Sequence, residues 1–133
     1  MSTEAKGTFQ VKDWDEKPFS EEPGAPKLTR ASLKATFSGN LDGEGATEYL
    51  MMYREDGSAT FTGLTRIVGR LDQREGTFVL QCAGTFDART HIAKCDWTVV
   101  PNSGTGDLRG LSGTGGFEAP GIQAEYSLDY DLA

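Results

Sequence analysis

The sequence has 133 residues, a length that fits a single domain spanning 1–133 and leaves no room for a two-domain enzyme. With 37% hydrophobic and 25% charged residues, and no apolar run near the roughly 20 residues a membrane helix needs, a folded chain that does not span a bilayer is expected. Its 20 acidic against 13 basic residues give a net charge of -7, which argues against nucleic acid or an anionic membrane as partner.

The start, Met1 to Lys6, lacks the charged-then-apolar profile of a secretory signal, and two cysteines are too few for a disulfide scaffold. A cytoplasmic protein with reduced thiols follows as the expectation. Apolar and polar residues alternate repeatedly, no helical stripe stands out, and the 17 glycines are spread along the chain as turn punctuation. The chain therefore reads as all-β. In order, the predicted strands are Thr8 to Asp15, Leu28 to Ser38, Glu44 to Glu55, Ser58 to Leu71, Gly76 to Asp87, Thr90 to Val100, Leu111 to Ala119 and Ala124 to Leu132. Between the first two, Lys17 to Pro26 holds Pro18, Pro23, Gly24 and Pro26 and reads as an ordered loop or lid (17–26) over the barrel. A second loop, Pro101 to Gly110, is rich in Gly, Ser and Asn.

Hairpin turns set register, so they also predict which side chains share a face. A two-residue turn at Asp56-Gly57 sets Met52 opposite Phe61, Leu50 opposite Gly63 and Glu48 opposite Thr65. A four-residue loop from Asp72 to Glu75 sets Thr65 opposite Cys82 and Ile67 opposite Leu80, while a turn at Ala88-Arg89 sets Cys82 opposite Cys95, Leu80 opposite Trp97 and Phe78 opposite Val99. A turn at Leu41-Asp42 brings Leu33 and Ala35 onto the same face as Leu50 and Glu48. Five strands then share one apolar face, and sequential hairpins of about eight strands favour a closed antiparallel barrel over a sandwich. The other face, with Arg30, Lys34, Thr47, Thr62, Arg66, Gln81 and Asp96, reads as solvated; Leu64, Val68, Val79, Tyr49, Met51 and Tyr53 are its apolar exceptions and suit a subunit contact in a homo-oligomer.

On this register Glu48 is the one charged side chain on the inward face, ringed by Ala35, Leu50, Gly63, Thr65 and Cys82. Apolar burial raises a carboxyl pKa, so Glu48 is the candidate general base, with Thr65 orienting it; the bland alternative is a carboxyl held by Thr65 or water, or turned outward by a bulge. Leu33, Ala35, Leu50, Met52, Phe61, Gly63, Phe78, Leu80, Cys82, Cys95 and Trp97 would line the cavity, with Phe86 beside them, and Gly63 opposite Gly84 would leave room for a small apolar or aromatic ligand. Cys82 and Cys95 read as buried thiols, His91 as a rim residue, and the acidic clusters as solvated, so no metal or other cofactor is expected.

Gly7-Thr8-Phe9-Gln10-Val11 through Trp14-Asp15-Glu16, Lys27 to Ala31, Glu48 to Met51, Tyr53 to Gly57, Phe78 to Gln81 and Val100 to Gly106 resemble a bacterial family of unknown function, over nearly the whole chain. That family is similar in fold to allene oxide cyclase, so the resemblance implies a closed eight-stranded antiparallel barrel with a central cavity. Its pattern places an acidic residue where Thr65 stands and a histidine where Cys82 stands; losing that pair would leave Glu48 as the sole strong proton acceptor. Two functional readings follow: a cofactor-free isomerase, cyclase or lyase with Glu48 as base, and a carrier or sensor that binds a similar ligand without chemistry. A third is a filled barrel that self-associates through the Tyr49, Met51 and Tyr53 stripe.

Overall fold

A computed structural model describes residues 2–132. Eight strands follow one another: β1 (Thr3–Ser20), β2 (Lys27–Gly39), β3 (Leu41–Tyr53), β4 (Ala59–Leu71), β5 (Arg74–Asp87), β6 (Ile92–Val99), β7 (Leu111–Ala119) and β8 (Gln123–Leu132). Each pairs antiparallel with the next, and β8 returns to β1, so the sheet closes into a barrel in sequence order. The expected architecture is the observed one. Among the described residues no helix is long and apolar enough to cross a membrane.

The turns decide which face each strand presents. Between β3 and β4 the connection has five residues, Arg54 to Ser58, closing on Tyr53 opposite Ala59. Asp56 and Gly57 lie within it: the Asp56 carboxylate accepts from the Ser58 N–H at 2.9 Å and Gly57 takes φ +89. An odd connection in place of the two-residue turn reverses every side chain of β3. Gly45, Thr47, Tyr49 and Met51 therefore point inward, and Glu48, Leu50 and Met52 do not. At the other end of β3 the register is set by Asn40, whose N–H donates to the Lys6 carbonyl at 3.1 Å and whose carbonyl accepts from the Asp72 N–H at 2.6 Å. This corner pairs Phe37 with Gly43 and replaces the expected Leu41-Asp42 turn.

Two other connections also differ from expectation, yet by an even number, so the faces survive. Asp72-Gln73 is a two-residue turn closing on Leu71 opposite Arg74, and residues 88–91 form a four-residue loop between Asp87 and Ile92. Cys82 thus lies opposite Trp97, and Cys95 opposite Gly84, one step along the diagonal from the expected pairing of the two cysteines; both thiols are free.

The 17–26 segment is not a loop throughout. Lys17 to Ser20 belong to β1, and Pro18 pairs with Thr29. Beyond Gln10, β1 has lost β8 and runs as an edge strand on β2, where a proline costs no ladder bond on its open side, and the register shift between Pro18 and Ser20 absorbs the rest. The loop proper is 21–26.

The interior is layered along the barrel axis. One end is shut by Leu41, Leu71, Leu111 and Leu108, the last carried by the short 3₁₀ turn Gly106–Leu108 inside the Gly-rich loop. The middle is an aromatic cluster in which Trp97 lies 5.4 Å from Phe117, 6.3 Å from Phe9 and 6.4 Å from both Phe37 and Tyr126, ring centre to ring centre. The opposite end is not filled.

Candidate functional site

That open end holds a cavity of about 260 Å³. Leu33, Phe61 and Phe86, expected in the lining, border it, and so do Tyr49, Met51 and Tyr53, expected on the outside. Phe9, Val11 and Phe117 close it from below and beside, Ala59, Ala93 and Ala119 leave its volume free, and Trp14, Gly121 and Ile122 stand at the lip. Other depressions are more open; one of about 1280 Å³ is lined by Thr60, Thr62, Lys94, Asp96 and Glu118 together with Phe61 and Phe117.

Glu48 is not in the cavity. Its side chain is 50% exposed, and Oε1 accepts from Arg30 Nε at 2.8 Å. Hydrogen bonds from Ser32 and Arg30 hold the carboxyl below its ordinary range, the reverse of a buried base. Leu50 is likewise 51% exposed and Met52 half-buried on the outer wall. Thr65 is buried but shares its hydroxyl with Thr47 at 2.7 Å and with the Cys82 thiol at 3.6 Å, far from Glu48's tip on the other side of the wall. Ala35, Phe78, Leu80, Cys82, Cys95 and Trp97 are interior, as expected, but belong to the packed part of the barrel and do not border the cavity. Cys95 also donates to its neighbour's carbonyl on Asp96 at 3.3 Å, and its bonding to Cys82, with burial, pushes its thiol well up, so it stays protonated.

The two glycines expected to leave room do something else. A Cβ on Gly63 would sit 1.9 Å from the Glu48 carbonyl, and one on Gly84 would fall 2.6 Å from the Phe61 ring, which occupies that space. They permit close strand approach and a ring laid over the backbone. His91, at φ +60 in the exposed 88–91 loop, has its ring 6.3 Å from Phe86 and takes no part in the lining.

At the lip, Glu16, expected in a solvated acidic cluster with Asp13 and Asp15, instead centres a polar cluster with Trp14, Thr29 and Tyr53. The register of β1 on β2 slips between Val11 and Asp13, leaving Lys12 as an extra residue. Before the bulge Phe9 and Val11 share the inward phase of Phe37 and Ala35; after it, Trp14 and Glu16 take that phase opposite Leu33 and Ala31, and Asp13 and Asp15 are turned to solvent. The signal in the sequence is the phase break itself, an apolar residue at 9, 11 and then 14. Glu16 accepts hydrogen bonds from Thr29 at 2.6 Å, Tyr53 at 2.6 Å and Trp14 Nε1 at 3.0 Å, tying β1, β2 and β3 together at the mouth. Lys27 adds a cation 5.2 Å from the Tyr53 ring centre.

Burial alone pushes the Glu16 carboxyl up, but the bonds from Thr29, Tyr53 and Trp14 and the charge of Lys27 outweigh it and hold the group below its ordinary value of 4.5. A carboxyl depressed on folding contributes stability that is present in full above its unfolded pKa and is lost as pH falls through the folded one. The melting-temperature gap between the wild-type chain and Glu16→Gln is therefore expected to be widest near neutral pH and to narrow as the solution is taken well below pH 4.5, measured by circular dichroism.

Comparison with curated proteins gives no match. The crystal structure of a protein of unknown function from Shewanella oneidensis MR-1, assigned to the DUF3224 family, is similar to this chain at 30% sequence identity, with a TM-score of 0.81 over 100% of this chain and 99% of that one. A family model described as "Protein of unknown function (DUF3224)" matches residues 5–130, so the chain belongs to the DUF3224 family, a bacterial-family resemblance that its sequence already carried.

Proposed function

We propose that this barrel is a carrier or sensor that binds a small, largely apolar molecule in the cavity at its open end. The observation that carries the reading is the contrast inside one barrel: aromatic rings fill the middle, while alanines at 59, 93 and 119 stand where larger side chains would have filled the end. Core positions are packed to crystal-like density in most proteins, and an unfilled, largely apolar cavity of this size costs stability that a bound guest would offset. The family resemblance, which implies an allene-oxide-cyclase-like barrel with a central cavity, supports the same reading. Proton transfer by Glu48 is not part of it, because that carboxylate lies outside the cavity and is paired with Arg30.

The test is binding of an environment-sensitive apolar dye, 1-aminoanthracene, to the full chain. Saturable binding is expected in the wild type and in Glu48→Gln, and a loss of at least about tenfold in Ala93→Phe, whose ring would occupy the cavity from a half-buried position that tolerates added volume. Equal binding by Ala93→Phe and the wild type would mean that the dye sits elsewhere.

A further inference from the structure

Three polar groups belong to side chains that border the cavity: the hydroxyls of Tyr49 and Tyr53 and the indole N–H of Trp14. Tyr53 and Trp14 are engaged with Glu16. Tyr49 differs. Its residue is 6% exposed, its ring packs on Phe61 at 4.7 Å, and its hydroxyl has no hydrogen-bond partner among the described residues. Yet no fully enclosed side-chain oxygen among them lacks a partner. The Tyr49 hydroxyl is therefore not fully enclosed, and the cavity is an open space that Tyr49 borders.

Building on the carrier or sensor reading above, we infer that the guest is a neutral molecule with an aromatic or otherwise apolar body and one oxygen acceptor, a carbonyl, ether or hydroxyl, that receives the Tyr49 O–H. A guest that fills the cavity covers the Tyr49 hydroxyl, so one that supplies an acceptor keeps it paired while a pure hydrocarbon leaves it buried without a partner, at a cost. The wall disfavours charge: none of the bordering residues is ionic, so a carboxylate or ammonium group would be desolvated with no opposite charge in the lining to offset it. Burial first, and then the neighbouring Cys82 and Cys95 thiols, push the Tyr49 phenol well up, which keeps it a proton donor at any physiological pH. Size narrows the class further. A cavity of about 150 Å³ accepts benzene, so one of about 260 Å³ suits a body of one or two small rings.

A matched pair of probes isolates the oxygen: acetophenone, and 2-phenylpropene, in which a methylidene group replaces the carbonyl oxygen. Each is titrated into the full chain and into Tyr49→Phe, following the backbone amide shifts of Ala119 and Gly121 by NMR, which also shows that the variant is folded. The wild type is expected to bind the ketone about fivefold more tightly than the alkene, and Tyr49→Phe to bind both equally with alkene affinity unchanged. If both probes bind and the wild type shows no preference, or the preference survives in Tyr49→Phe, the assignment to Tyr49 is wrong while the cavity remains a binding site. If neither probe shifts any amide of the wild type, the binding-site reading fails and this one with it.

Discussion

Trp97→Ala is expected to cost about 3–5 kcal/mol of folding stability, the range for removing a large aromatic side chain from a packed core. Trp97 is 3% exposed and touches four aromatic neighbours, from β1, β2, β7 and β8, across the width of the barrel. Its indole N–H also donates to the Ser127 carbonyl at 3.1 Å, a bond that no aliphatic residue replaces. Against the typical 5–15 kcal/mol of a domain, such a loss brings the chain close to unfolding at growth temperature. Urea denaturation measures it directly. Trp97→Phe, which keeps a ring in the cluster, should recover more than half of the deficit; a Trp97→Ala cost below about 1 kcal/mol would show that the middle of the barrel is not packed and that the empty space is not confined to one end.

Tyr126→Phe is the second large effect, at about 2–3 kcal/mol for the loss of a single oxygen atom. That oxygen accepts from the Leu41 N–H at 3.0 Å and faces the carbonyls of Ser38 at 2.9 Å and Leu41 at 3.0 Å. It pins the corner at Asn40 where the chain leaves β2 and turns into β3, the corner that sets the register of β3. The volume of the ring is unchanged by the substitution, so the cost isolates the buried backbone groups left without a partner. At roughly 3–5 °C per kcal/mol for a chain of this size, a melting-temperature drop of roughly 6–15 °C is expected by calorimetry. Because the corner lies at the end of the barrel away from the cavity, dye binding by the folded fraction should not change.

Much of the architecture is legible in the residues. Alternation alone marks the inward faces of β2, β4, β5 and β6, and Leu33, Ala35, Phe61, Phe78, Leu80, Cys82, Cys95 and Trp97 are all interior. What fails is parity. Strand faces survive an error of two residues in a connection, as at Asp72-Gln73 and at 88–91, and invert on an error of one or three, as on both sides of β3. Asp-Gly is a strong hairpin signal, but Asp56 uses its side chain to cap the Ser58 N–H and draws Arg54 and Ser58 into a longer loop. β3 is unusually ambiguous because both of its phases look plausible: Ala46, Leu50 and Met52 on one, Tyr49, Met51 and Tyr53 on the other. The phase that wins puts three aromatic or thioether side chains inside and leaves Glu48 free to meet Arg30, which avoids burying a charge. Glu16, read with Asp13 and Asp15 as part of a solvated acidic cluster, is set apart from them by the fold for a related reason: a strict period of two carries Asp13 and Asp15 inward, and one extra residue at Lys12 exchanges them for Trp14 and Glu16.

The outer wall keeps an apolar trace. Leu64 and Val68 are 52% and 54% exposed, where alternation placed them, joined by Leu50 in place of Tyr49 and Met51. Their scatter among Arg66, Glu44 and Glu48 makes a mixed surface.

Whether the open end is a true binding chamber is tested most directly by crystals of the chain held under xenon pressure, because xenon enters dry apolar cavities and scatters strongly. The expected result is a xenon atom in contact with Tyr49, Phe86 and Val11, refining without displacement of those side chains. Density that shows no xenon there, with Trp14 or Ile122 folded down to fill the space, would contradict it.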